Sequence, residues 1–234
     1  MHEYRLTFTL LSDTTFGRGE GIAGLIDREV EHDRYGLPYL RGRTLKGLIT
    51  EETDNVLFAL GRAGVDVGHW DAVRRVLYGR GGSRAADRGK LRFGPAELPV
   101  AVRDAVRAVG NTPKLAAANR LPVLESLTAV RRQTAIENDG DNYGVPAEGS
   151  LRAMRVVLRE TPFEARLWGD RKLEPDELAL LAASLLAFRR AGTGRNRGRG
   201  KLAASLTDTD GNSILETNYR HFIDTALGQN TQQE

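Results

Sequence analysis

The stretch Gly192-Thr193-Gly194-Arg195-Asn196-Arg197-Gly198-Arg199-Gly200-Lys201-Leu202-Ala203-Ala204-Ser205-Leu206 sets how the rest of the chain is read. In its second half Leu202, Ala204 and Leu206 fall on one face of an extended segment, the period of a half-buried strand. Upstream, Leu178, Leu181, Leu185 and Phe188 recur at helical spacing. Pro175 suits the first turn of that helix, and Asp176 and Glu177 suit its positive end. The spacing predicts a helix from Pro175 to about Arg190, with Arg189 and Arg190 at its negative end and Gly192 as the stop. The unit is therefore helix, loop, strand. Glycine lets the loop take left-handed angles and approach a ligand closely, and arginine supplies planar donor forks suited to phosphate. Arg189 to Lys201 holds six basic residues and no acidic one. Such a loop calls for a polyanion, and nucleic acid is the first candidate.

Beyond this unit, Tyr4, Leu6, Phe8 and Leu10 alternate as a strand. Thr44 reads as the N-cap of a helix over 44–63 carried by Leu45, Leu48, Ile49, Val56 and Leu60. Trp70, Val73 and Leu77 predict a short helix ending at Gly79, and residues 79–89 a loop. Leu91-Arg92-Phe93 reads as a strand and Arg103–Val109 as a short helix. Arg155–Leu158 and Phe163–Leu167 read as two strands around the turn Glu160-Thr161-Pro162. Residues 137–151 form a turn-rich projection. Phe222, Ile223 and Leu227 predict a peripheral helix, and Gln229–Glu234 a disordered tail. Strand, helix, strand, strand, helix, strand is the split βαβ order. The fold class is thus α+β, with a ferredoxin-like sheet of the kind RNA-recognition domains use. The 234 residues read as one domain: a core at about 3–11, 44–63, 90–98 and 155–206, with inserted loops and helices, and an acidic extension at 207–234.

A net charge of +3 hides a contrast. Residues 207–234 carry five acids against one base, which leaves +7 on residues 1–206, a basic body matched to a polyanion. Without cysteine there is no disulfide, thiolate nucleophile or cysteine metal site. The N-terminus lacks a signal-peptide pattern, and the longest apolar run, Leu178–Phe188, is too short to span a bilayer; the expectation is a soluble, cytoplasmic protein without a membrane partner. Gly19-Glu20-Gly21-Ile22-Ala23-Gly24 matches the dinucleotide fingerprint, but the segment after it reads as extended and no acid stands about 20 residues on. No Walker A run or Gly-x-Ser-x-Gly elbow is present, and the four histidines lack paired ligand spacing.

Several blocks taken together are more specific than any one. Gly24–Asp33 contains Gly-Leu-Ile-Asp27. It leads into Gly36-Leu37-Pro38-Tyr39-Leu40-Arg41-Gly42-Arg43-Thr44-Leu45-Lys46-Gly47. Val76–Gly79, Leu91–Leu98, Val130–Ile136, Phe163–Leu167 and the Gly194–Gly200 loop come next in order. This series resembles the repeat-associated mysterious protein (RAMP) superfamily, and within it the repeating backbone subunit of type III CRISPR effector complexes, over about residues 3–206. Where relatives carry a proline and a small hydroxyl residue, this chain has Arg41 and Arg43, an added charge that either strengthens phosphate contact or pairs with Glu29 and Glu31.

The resemblance implies a ferredoxin-like palm and copies stacked along a guide RNA beside other CRISPR-associated subunits. It also implies a thumb hairpin, here residues 137–151, that wedges the guide–target duplex with Tyr143 or Val145. It places a catalytic, metal-holding aspartate at Asp27, with magnesium or another divalent cation supporting target-RNA cleavage. Arg41, Gly42, Arg43, Thr44 and Lys46 at a helix N-terminus, Arg131, and Gly194, Arg195, Asn196, Arg197, Gly198 and Arg199 are the RNA-binding candidates. Three other readings stand beside this one: a non-catalytic scaffold of the same complex, a guide-processing endoribonuclease using His32, and a small-molecule or nucleotide binder. Asp33 is explained by the turn before Gly36.

Overall fold

The computed structural model describes residues 1–19, 21, 25–80, 87–136, 144–147 and 149–228. Alternation in β1 (His2–Leu10) buries Tyr4, Leu6, Phe8 and Leu10 on one face. β1 pairs antiparallel with β5 (Pro162–Gly169) on one side and β6 (Leu202–Thr207) on the other, and β2 (Arg92–Glu97) adds to β5. The strand order β2-β5-β1-β6 is the ferredoxin-like arrangement of an α+β fold. Register brings Phe8 opposite Phe163 and Leu6 opposite Leu206, so the apolar faces coincide; the two phenyl rings stack at 5.4 Å. Pro95 is tolerated because β2 is an edge strand with an irregularity between Phe93 and Ala96. Two helices cover this face, α1 (Gly42–Arg62) through Leu45, Ile49 and Leu57, and α5 (Pro175–Ala187). They are joined by Thr53 and Ser184, whose hydroxyls lie 2.7 Å apart.

α2 (Gly68–Tyr78) packs beside them, and after β2 come α3 (Val100–Val109) and α4 (Pro113–Leu127). α4 has no counterpart in the sequence reading, although Thr112 caps it at Leu115 N–H and Pro113 opens it. β3 (Thr128–Gln133) pairs with β4 (Arg152–Val157) as a separate two-stranded sheet. Arg155–Leu158 is therefore not the hairpin partner of Phe163–Leu167 and is no part of the four-stranded sheet. Thr14 and Val157 exchange backbone hydrogen bonds at 3.0 and 2.7 Å, which holds β4 to the loop after β1, while β5 is claimed by β1. Residues 137–151, expected as a thumb, join β3 to β4 in the chain; of these 144–147 and 149–151 are described, the wedge candidate Tyr143 lies outside the described residues, and Val145 is exposed. α6 (Leu215–Gly228) lies on α5, burying Leu215, Phe222 and Ala226 and leaving Leu227 exposed. Among the described residues no helix is long and apolar enough to cross a membrane.

Two expected boundaries move. α1 starts at Gly42 with Arg41 at the cap position and no side-chain cap, so Thr44 lies inside the first turn. Leu40 and Ala96 exchange two backbone hydrogen bonds at 2.8 Å, and this fixes where the segment before α1 parts from β2 and enters the helix. α5 ends at Ala187, not Arg190. Leu202 N–H donates to the Arg189 carbonyl, and Arg190 bridges to Lys201, so both arginines run extended beside the start of β6.

Candidate nucleic-acid interface

One open cleft of about 1820 Å³ gathers the most distant basic elements of the chain. The loop after β1 brings Asp27 and Arg28, and the root of the projection brings Gln133 to Ala135 and Ser150. β4 brings Arg152 to Met154, and the segment from Arg189 to Lys201 forms the opposite wall. Eight cations line it, Arg28, Arg152, Arg189, Arg190, Arg195, Arg197, Arg199 and Lys201, against Asp27, Glu51 and Glu52. Among the described residues only Arg195 of these eight pairs with a carboxylate, Glu51, at 3.1 Å. The wall keeps its shape through glycine: Gly194 and Gly198, both at φ 76°, bracket a 3₁₀ turn over Arg195–Arg197. Arg190 donates to the Arg195 carbonyl at 2.7 Å, and Arg199 contacts the Met154 sulfur. A cleft with this excess of cations focuses a positive field on a polyanion.

Asp27 is exposed at the cleft wall. Its Oδ2 accepts the Ala153 N–H at 2.6 Å, and its own N–H donates to the Ala153 carbonyl at 2.8 Å. Among the described residues no three His, Asp or Glu side chains converge on a metal position. The described residues make no protein-only cage, and a single carboxylate such as Asp27 would hold a magnesium ion only with water and phosphate oxygens completing its shell. Asp33 is spent on its turn, accepting Tyr35 N–H at 2.8 Å and Leu37 N–H at 3.0 Å. His32 donates from Nδ1 to the Asp33 carbonyl at 2.9 Å and does not line the cleft.

The remaining candidates lie elsewhere. Arg41, Gly42, Arg43, Thr44 and Lys46 sit at the N-terminal end of α1, roughly 7 to 15 Å along the axis from Glu51 at the cleft. Gly42 passes tightly over β2; a Cβ there would stand 2.3 Å from the Phe93 carbonyl oxygen. Arg41 pairs with Glu31 at 2.6 Å, which also accepts the Tyr39 hydroxyl. Arg43 and Thr44 are exposed. Lys46 is half-buried without a carboxylate partner among the described residues; burial pushes its ammonium below the usual value, and the Arg74 charge pushes it further. Arg131, on β3, is committed to Asp13 at 2.8 Å and lies outside the cleft lining. Arg28 and Arg152 were missed by sequence reasoning, since each looks like an ordinary surface arginine until the loop after β1 meets β4.

Solved structures share this architecture. Chains of the Type III-B Cmr-beta assembly, one bound to cognate target RNA and one in the apo state, superpose with TM-scores of 0.58 and 0.57 at 14% identity. The matches cover 89% and 88% of this chain and 97% of each of theirs. At that identity the likeness speaks for the fold. No curated protein matches the chain by sequence. The family model described as the RAMP superfamily does match, over residues 7–203, from within β1 to within β6. The split βαβ sheet and the glycine-arginine loop are thus held together in one family match, and the chain belongs to the RAMP superfamily.

Proposed function

We propose that the chain is a guide-RNA-binding backbone subunit of a type III CRISPR effector complex that supports metal-dependent cleavage of guide-matched target RNA at Asp27. The observation that carries this reading is the placement of the exposed Asp27 carboxylate on the wall of a cleft lined by eight cations. The cations hold phosphates and offset charge at the phosphorus under attack. Asp27 holds its carboxylate on Ala153 through Oδ2, so its second oxygen is the one available to an ion. Bound magnesium would supply Lewis-acid activation of the attacking oxygen, for which the RNA's own 2′-hydroxyl is a candidate. The uncapped N-terminus of α1, with Arg43, Thr44 and Lys46, takes guide-RNA phosphates. The partners under this reading are guide RNA, target RNA, further copies of the chain and other CRISPR-associated subunits. In support, a structurally similar chain belongs to an assembly solved with cognate target RNA.

One observation favours the scaffold reading: Asp27 is bonded twice to Ala153, as a residue with a purely structural task would be. The assembled complex with guide-matched RNA and magnesium separates the two. In the catalytic reading Asp27→Ala lowers cleavage by at least about 100-fold while RNA binding persists. Cleavage at the native rate in that variant would establish the scaffold.

A further inference from the structure

Asp27 is the first residue of a short parallel clip. Asp27-Arg28-Glu29 runs beside Ala153-Met154-Arg155, with a parallel bridge between Arg28 and Met154. Besides the two bonds between Asp27 and Ala153, Arg155 N–H donates to the Arg28 carbonyl at 2.9 Å. Glu29 and Arg155 then form an ion pair, Nε to Oε1 at 2.9 Å, with side chains only 6% and 8% exposed. Its surroundings are satisfied on every side. Glu29 Oε1 accepts Val30 N–H at 2.9 Å, and Arg155 Nη1 donates to Thr128 Oγ1 at 3.3 Å. Thr128 donates onward to the Leu124 carbonyl, and the Thr15 hydroxyl donates to the Arg155 carbonyl.

An ion pair this enclosed adds little net stability, because desolvating both charges offsets their attraction and apolar residues of similar volume pack as well. What it adds is direction. Arg155 donates from Nε to the Glu29 carboxylate, 2.9 Å from Oε1 and 3.1 Å from Oε2, while the Nη1 arm of the same planar fork donates to Thr128, so the guanidinium is held in one orientation. The 26–32 segment is held by isolated bridges rather than a ladder, so backbone bonding alone leaves its register weakly specified. A slip of one residue turns each side chain to the opposite face, and here it would carry the Asp27 carboxylate away from Ala153.

We propose that Glu29 and Arg155 are positioning residues for Asp27, their buried ion pair setting the register that holds its carboxylate in the cleft. This rests on the reading of Asp27 as the cleavage residue. The test replaces the pair by apolar residues, Glu29→Met with Arg155→Leu, in the assembled complex, beside Asp27→Ala and Arg155→Lys. Cleavage rate, its magnesium dependence, guide-RNA binding and hydrogen exchange at the Ala153 and Arg155 amides are measured. In the double variant guide binding stays native and cleavage falls on the order of 100-fold. Half-maximal rate needs more magnesium, and the Ala153 amide exchanges faster. Arg155→Lys, which keeps the charge without the fork, falls between. A native rate in the double variant with Asp27→Ala inactive overturns the positioning role and leaves Asp27 standing. A native rate in Asp27→Ala overturns the reading of Asp27 and the positioning role with it. Should the double variant fail to assemble, Arg155→Lys decides: slowed cleavage with guide binding retained supports the proposal, and native rate with native amide protection overturns it.

Discussion

Lys46 carries a charge that its surroundings oppose. Burial and the neighbouring Arg74 both disfavour its ammonium, and Arg74 itself is drawn to Asp54 at 2.8 Å. As the fifth residue of α1, just past the first turn, Lys46 also faces the weaker reach of the positive end of the helix dipole. A phosphate removes all three penalties at once. Lys46→Met is therefore expected to leave the stability of the free chain unchanged or slightly higher, since a depressed lysine favours folding less in its charged form. The same variant should weaken guide-RNA binding and reduce the salt dependence of log K by about one. Unfolding midpoints and a salt titration of RNA binding check both halves. Arg41, by contrast, reads in sequence either as an added phosphate contact or as a partner of Glu29 or Glu31, and in the structure it is paired with Glu31. The acids of the 29–31 stretch are visible in the sequence, but not that Glu31 meets Arg41 while Glu29 turns inward to Arg155.

The glycine-arginine loop is the element where local sequence says most. That it is a loop, basic and dependent on left-handed angles is legible from its letters, and the structure puts Gly192, Gly194, Gly198 and Gly200 all at positive φ. Their tolerance of a side chain differs for a reason no letter carries. A Cβ on Gly200 would stand 1.9 Å from the Ala191 carbonyl oxygen, whereas one on Gly198 meets nothing within 4 Å. Gly198→Ala should cost only the left-handed strain of about 1 kcal/mol. Gly200→Ala should cost on the order of 3 kcal/mol, since the backbone must also move. Urea unfolding of the two variants measures the difference. The reach of α5 shows the opposite limit: Arg189 and Arg190 fit a helix end, yet pairing with the start of β6 takes them out of the helix and into the cleft.

Across the molecule, α5 is buried nearly all round from Ala179 to Leu185. A helix apolar on every side needs cover on every side, and the sheet and α1 leave one side open. α6, within the acidic extension, closes it, with Phe222 against Trp70 at 4.6 Å between ring centres. The closure is pinned by Asp176, whose two oxygens lie 2.8 Å from His69 Nε2 of α2 and His221 Nε2 of α6. Burial would raise the Asp176 carboxyl, but hydrogen bonds from His221 and His69 and their charge outweigh it and hold it below its ordinary value. A lowered carboxyl stabilises the fold above about pH 4, and that contribution is lost as pH falls through the lowered value. Asp176→Asn should thus cost about 1 kcal/mol or less at pH 7, because the carboxylate is partly exposed. The gap to the native chain should close as pH falls below about 4, as denaturant unfolding at a series of pH values would record.

Local pattern was enough for the βαββαβ order, the buried faces of β1, α1 and β6 and the basic character of the last loop, each written in a local period or a local composition. Asp27 stood out only through the family resemblance carried by several blocks together. It took the folded chain to show that β4 leaves β5 for β3, that α6 completes the shell of α5, and that Asp27 meets Ala153 across 126 positions of chain. Only then do Arg28 and Arg152 become cleft residues. Periodicity reports which face of an element is buried. It carries no record of which distant element will bury it, because that choice is made by register and close packing between segments that share no local pattern.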